Sequence, residues 1–364
     1  MFIVLAAVLA GIAYYLWTRI NQYALVKKLR EEKPQIYRVL AVIYIIALLV
    51  AVVLQTVNTM VVLLHLTIFW GIADGIVWMV RKFSAKQWKR YYAGAATLLV
   101  TILYLSIGWY NAHHVVETNY TMHTDKKLDG KKLRILQITD MHIGATFNGD
   151  GFAEHMKEAE RCQPDLVVAT GDFVDEETTR EDMVKSCKAL GSISSTYGVF
   201  FVYGNHDEGN YTNSREFQAE EFEKELIKNH ITVLKDEAVL INDNFYVIGR
   251  KDRSAELHGD RMEMSELVQE LDTSKFLLVL DHQPTDYENQ KKAGVDLVLS
   301  GHTHGGHIFP AGPIGELAKF NCMTYGIRKE GGTVFEVSSG ISGWEIPFKT
   351  GAISEYVVID VEPQ

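Results

Sequence analysis

Acidic residues are almost missing from the first third of this sequence: of 46 Asp and Glu, only Glu31, Glu32 and Asp74 precede residue 113. The same stretch holds 11 of the 36 Lys and Arg, so a basic, apolar front part of net charge +8 precedes an acidic remainder of net charge −18. A surface that acidic argues against nucleic acid as a partner, because a polyanion is bound through Lys and Arg. Cysteine is scarce as well. Cys162, Cys187 and Cys322 show no ligand spacing and cannot all pair within one chain, so buried free thiols are expected.

What the front part has is apolar length. Phe2–Trp17, Val39–Val57, Met60–Val80 and Tyr91–Tyr110 each approach the roughly 20 residues that cross a hydrocarbon core as helix. They predict a transmembrane domain over 1–112 with four helices, about 2–18, 38–57, 60–80 and 91–110. The first run could instead be a signal peptide, but no small-x-small cleavage site follows it. Residues 55–59 leave room only for a tight hairpin. Arg19, Lys27, Lys28, Arg30, Lys33 and Arg38 separate the first two runs, and Arg81, Lys82, Lys86, Lys89 and Arg90 the last two; the opposite segments carry no Lys or Arg. The positive-inside rule then makes both basic loops cytoplasmic. The expected localisation is a multi-pass cell-membrane protein, with the lipid bilayer as partner and the acidic domain extracytoplasmic. His65 and Asp74 fall inside the third run, either as a polar site facing the bundle interior or as groups packed or snorkelling near its ends.

Residues 113–131 read as a linker with a possible first strand, and 132–364 as a separate domain. There, short runs rich in Val, Ile and Leu each end in polar residues. Lys132–Thr139 ends at Asp140-Met141-His142, Asp165–Thr170 at Gly171-Asp172, and Val199–Tyr203 at Gly204-Asn205-His206-Asp207. Phe276–Leu280 ends at Asp281-His282, and Asp296–Ser300 at Gly301-His302-Thr303-His304. Such runs suit strands buried on both faces. Helical patterns at Gly151–Arg161, Arg180–Leu190 and Ser214–Asn229 alternate with them, which implies a layered α/β fold. Val334–Ser338 and Tyr356–Asp360 add strands without helices, making a second sheet plausible. In such folds the carboxyl ends of strands carry ligand sites.

Asp, His and Asn without Cys suit Mn, Fe or Zn. Asp172 is the natural bridge, since a carboxylate between two cations offsets their repulsion. Two metals about 3.5–4 Å apart neutralise phosphoryl oxygens and activate water for in-line displacement.

These residues closely resemble the calcineurin-like metallophosphoesterase superfamily, whose ordered blocks are D-x-H, G-D, G-N-H-[DE], H and G-H-x-H. The resemblance covers roughly residues 132–360 and implies a four-layered αββα sandwich. It also implies that Asp140, His142, Asp172 and His304 hold one divalent metal ion, and Asp172, Asn205, His282 and His302 a second. His206 would stand beside the leaving group, with Asp207 able to orient its ring, and His307 would line the substrate cleft. Where serine/threonine phosphatases place an Arg clamp, this sequence has Glu176 and Glu177 after Phe173-Val174-Asp175. Purple acid phosphatases place a metal-binding Tyr where Asp175 stands. The tail SSGISGWEIPFKTGAISEYVVI resembles the bacterial membrane-associated branch, with Lys349 where that branch often has Arg; Lys349 and Trp344 are expected substrate contacts.

The expected function is a membrane-anchored, two-metal phosphoesterase acting on phosphomono- or phosphodiesters, with a phosphorylated lipid or cell-envelope substrate suspected as partner. A soluble-nucleotide phosphodiesterase would need an aromatic platform from Tyr203, Phe147 or Trp344. A phosphate-ligand sensor signalling through His65 and Asp74 would have no need of His206. Oligomeric state is not legible.

Overall fold

A long apolar run closes all its backbone hydrogen bonds internally only as helix, and the front part does so. In the computed structural model it forms α1 (Phe2–Ile20), α2 (Ala24–Glu32), α3 (Pro34–Leu54), α4 (Thr56–Phe83) and α5 (Tyr92–His113). The structure describes residues 2–54, 56–83, 91–128, 132–209, 211 and 215–364. Outside the described residues lie Gln55 of the expected hairpin, Lys86, Lys89 and Arg90 of the second basic loop, residues 129–131 of the expected linker, and Ser214 at the start of an expected helix. The chain divides into two compact units, Met1–Ile107 and Gly108–Gln364.

Among the described residues of the first unit, three helices rather than four are long and apolar enough to cross a membrane: Pro34–Leu54, Val57–Phe83 and Tyr92–His113. The apolar helix Ala7–Ile20 is shorter. It is nevertheless tied to α4: Arg19 Nη1 lies 2.9 Å from Asp74 Oδ2, and the Tyr15 hydroxyl donates to the same oxygen at 2.9 Å. Asp74 is therefore an ion-paired helix contact. His65 donates from Nδ1 to the Val61 carbonyl at 2.7 Å, a bond within its own helix, and its ring packs on Phe69 and Tyr104.

The second unit alternates strand and helix: β1 (Val116–Thr124), β2 (Leu133–Ile138), α6 (Gly149–Ala159), β3 (Leu166–Thr170), α7 (Arg180–Gly191), β4 (Val199–Val202), α8 (Ala219–Lys228) and β5 (Ile231–Val233). Then follow β6 (Glu237–Ile241), β7 (Phe245–Gly249), α9 (Met264–Val268), β8 (Phe276–Leu280), α10 (Tyr287–Lys292), β9 (Leu297–Ser300), α11 (Ala311–Leu317), β10 (Gly326–Glu330), β11 (Thr333–Val337) and β12 (Glu355–Pro363). Two six-stranded mixed sheets result, ordered β1-β12-β2-β3-β4-β5 and β10-β11-β9-β8-β7-β6. Segment 116–124, which the sequence leaves as a linker with a possible strand, pairs in parallel with β12 from Val116↔Glu355 to Thr124↔Pro363.

Strand alternation assigns three cores. Ile135, Val168, Ile359, Leu278 and Leu299 meet between the sheets. The opposite face of the first sheet packs Leu136 and Phe201 against Phe152 and Phe222 of the helices. On the far side of the second sheet, Val298 and Phe335 meet Met264 and Tyr287. Of the cysteines only Cys187 is buried; Cys322 is exposed, against the expectation of buried thiols, because it lies in the connection after α11 rather than on a core face.

Candidate metal centre and active-site cleft

The parallel strands β2, β3, β4, β8 and β9 all point their carboxyl ends to one place, and the polar residues following each run converge there. Asp140, His142 and His304 form one group whose ligand atoms lie within 4.8 Å of one another; Asp172, His282 and His302 form another. Asp172 stands between the groups. Its Oδ2 is 3.1 Å from His282 Nε2 and 3.6 Å from His142 Nε2. The Asn205 carbonyl oxygen joins the second group, 3.2 Å from His282 Nε2 and 2.9 Å from His302 Nδ1. In the first group, His304 Nε2 is 3.5 Å from Asp140 Oδ1.

Backbone strain marks the same residues. Asp140, His142, Asp172, His302 and His304 all have φ between 37° and 71°, the left-handed region that side-chain-bearing residues avoid. These turns re-aim each side chain immediately after its strand. Two glycines are required by close approach: a Cβ at Gly204 would collide with the Asp172 carboxylate, and one at Gly301 with Thr139 and Asp140.

Second partners set the tautomers. His282 donates from Nδ1 to the Thr170 carbonyl at 2.7 Å, which turns Nε2 toward Asp172 and Asn205. His304 donates from Nδ1 to the Ser342 carbonyl at 3.2 Å. Asp175 Oδ2 lies 3.5 Å from His142 Nδ1. Both nitrogens of fully buried His142 lack a hydrogen-bond partner. An orphaned imidazole beside three carboxylates fits a cation, and the oxygen and nitrogen donors fit divalent transition metals. The electrostatics agree. Burial opposes charge on His282, yet the Asp172 carboxylate lifts it well above the usual histidine range. Burial opposes charge on Asp172, and His282 and His142 hold it well below the usual carboxylate range.

His206 is nearly buried, with its backbone N–H donating to Asp172 Oδ1 at 2.9 Å. Its Nδ1 faces Glu176 Oε1 at 3.2 Å. Glu176, not Asp207, therefore orients the ring, and the expected role of Asp207 is corrected. The Asp207 carboxylate accepts the backbone N–H groups of Asp172 (2.8 Å), Phe173 (2.8 Å), Val174 (3.1 Å) and Gly204 (2.7 Å). It ties the turn after β3 to the turn after β4. Burial, with Asp172 nearby, raises it to about 7 while the N–H bonds oppose the shift.

Asp172, Glu176, Asn205, His206, Tyr211, His302, His304, Trp344 and Glu345 line a cleft of about 480 Å³. Trp344 is where the sequence expects it; Lys349 and His307 are not. Lys349 is fully buried and its ammonium donates to the carbonyls of Ser339 (2.6 Å) and Gly340 (3.2 Å), so it supports the loop after β11 instead of meeting substrate. Burial lowers it to about 7. His307 lies behind His304, with ring centroids 5.1 Å apart, and its Nε2 meets the Ile346 carbonyl at 3.3 Å. Of the three expected platform aromatics only Trp344 reaches the cleft, since Tyr203 is buried and Phe147 packs on the helical core. Glu176, Tyr211 and Glu345 escaped the sequence reading as site residues because they stand in no ordered block; the acidic run Asp175-Glu176-Glu177, two residues after Gly171-Asp172, was the available signal.

Comparison with known proteins agrees with this geometry. Residues 133–306 match the calcineurin-like phosphoesterase family. A metallophosphoesterase of Aquifex aeolicus is 35% identical over 53% of this chain and 71% of its own length. One from Helicobacter pylori is 34% identical over 65% of this chain, which spans 62% of that relative. A zebrafish transmembrane protein with a metallophosphoesterase domain is 28% identical over 61% of this chain and 52% of its own. With its ligand groups gathered at the strand ends and these relatives beside it, the chain belongs to the calcineurin-like metallophosphoesterase family.

Proposed function

We propose that the protein is a two-metal phosphoesterase held in a membrane by its apolar helices, hydrolysing phosphomono- or phosphodiesters of a membrane or cell-envelope substrate on the extracytoplasmic side. The observation that carries the chemistry is Asp172 standing between two buried ligand groups. Asp140, His142, Asp172 and His304 would hold one ion, and Asp172, Asn205, His282 and His302 the other. Two such ions, when bound, supply Lewis acidity at the phosphoryl group and lower the pKa of water.

The chain's own residues do the rest. Glu176 engages His206 Nδ1, which leaves Nε2 to carry a proton toward the departing oxygen. Thr170 and Ser342 hold His282 and His304 in one tautomer. The two sheets with their three apolar cores support the reading of the fold as a four-layered αββα sandwich. The basic residues between the apolar runs support the sidedness.

The test is turnover of bis(p-nitrophenyl) phosphate and p-nitrophenyl phosphate by detergent-purified protein, before and after chelation and with Mn, Fe or Zn restored. Chelation should abolish turnover and metal should return it. Activity indifferent to chelation, or none with any metal, would reject the reading.

A further inference from the structure

Phosphate sites ordinarily carry Arg or Lys, yet the described residues lining this cleft include neither. Two nearby cations are committed elsewhere. Lys349 donates to backbone carbonyls, and Arg215 donates to the carbonyls of His206 and Asp207 from behind the histidine. Beyond the ligand groups the walls are acidic and aromatic: Glu176, Glu345, Tyr211 and Trp344. The Tyr211 and Trp344 rings flank His206, with centroids 4.8 Å and 5.5 Å from its own.

The loop bearing Trp344 and Glu345 is held in place. Gly343 N–H donates to Thr146 Oγ1 at 3.1 Å, the Ile346 carbonyl meets His307, and Glu345 keeps a strained φ of 49°. Carboxylates crowd there: burial and then the charges of Glu176, Glu177 and Asp175 raise the Glu345 carboxyl. Aromatic faces beside carboxylates attract organic cations and repel a second anionic group.

We propose that the cleft selects phosphoesters in which an esterified alcohol carries an ammonium group, the chemistry of an ethanolamine or choline ester, with Trp344, Tyr211 and Glu345 receiving the cation. This rests on the phosphoesterase reading and names its substrate class. A zwitterionic ester offers its phosphate to the ligand groups and its ammonium to the acidic wall, so the absence of a basic clamp follows from the charge pattern of the substrate.

The experiment compares p-nitrophenylphosphorylcholine with p-nitrophenyl 3,3-dimethylbutyl phosphate, its uncharged isostere, on the metal-loaded full chain in detergent. The cationic ester should be preferred roughly tenfold in kcat/KM, through KM. Glu345→Gln combined with Trp344→Leu should bring that ratio close to one. Equal turnover of both esters by the unaltered protein overturns this proposal and leaves the phosphoesterase reading standing; turnover of neither overturns both. Glycerophosphoethanolamine and phosphatidylethanolamine in mixed micelles form the second pair. Hydrolysis of either supports the proposal and says whether the ester is free or lipid-borne, and hydrolysis of neither overturns it.

Discussion

Asp172 and His206 are joined through the backbone: the His206 N–H donates to Asp172 Oδ1 at 2.9 Å, which leaves Oδ2 to face His142 and His282. One bond thereby fixes the orientation of the Asp172 carboxylate relative to His206, the expected proton donor, across two strand ends.

Asp172→Asn should fold but hold fewer than two metal ions, with nearly all turnover lost. An amide offers a neutral oxygen where two cations would share an anionic one. Metal content by plasma mass spectrometry, alongside the rate on bis(p-nitrophenyl) phosphate, checks this. Full stoichiometry with a near-native rate contradicts it.

His206→Gln should slow hydrolysis of alkyl esters by about 10²-fold or more, and of nitrophenyl esters far less, because a nitrophenolate leaves without a proton. Glu176→Gln should shift the same leaving-group dependence in the same direction but by less, since Glu176 acts on His206 through its Nδ1. An equal loss on both ester classes would make His206 an electrostatic contact.

Asp207→Ala should destabilise the catalytic unit by roughly 3 kcal/mol or more, because several buried N–H groups lose their acceptor together. Thermal unfolding in detergent measures it. A native melting temperature with a selective loss on alkyl esters would restore the orienting role that the sequence suggests.

Sidedness can be read with Cys322, which is exposed. In intact cells a membrane-impermeant maleimide should label the unaltered protein and not Cys322→Ser. In the Cys322→Ser background, Lys28→Cys should stay unlabelled, since Lys28 belongs to the first basic segment and its side chain is 67% exposed. The opposite pattern would put the catalytic unit in the cytoplasm.

Asp360 gives an acid-limb test. Although burial raises it, Arg134, through bonds of 2.9 and 3.1 Å, and Lys132 hold its carboxyl below the usual range. A depressed carboxylate contributes stability that is present above its unfolded pKa of about 3.9 and lost as pH falls through the folded value. Arg134 is about a third exposed, so the expected contribution is only about 1 kcal/mol. Asp360→Asn should lower stability at pH 7 by that amount and flatten the dependence below pH 4. An unchanged acid limb would show the pair to be energetically silent.

The sequence by itself determined the basic apolar front, the acidic α/β remainder and the candidate ligand residues, because these cluster where short apolar runs end and periodicity reports such runs, while their grouping around metal ions is what the family resemblance implies. It did not show that 116–124 is a strand. That segment alternates exposed and half-buried residues, and only β12, more than two hundred residues later, completes its hydrogen bonds. The roles of Asp207, Lys349 and His307 were also undecidable from order along the chain. Adjacency to His206 suggested that Asp207 orients it, but Glu176, thirty positions upstream, holds the ring instead. Lys349 stands where a phosphate contact is expected, yet the fold turns its amine inward to the carbonyls of Ser339 and Gly340. A motif specifies which residue types are present, whereas the direction of a side chain depends on φ, on burial and on which distant backbone groups remain unpaired. Tertiary structure alone supplies those.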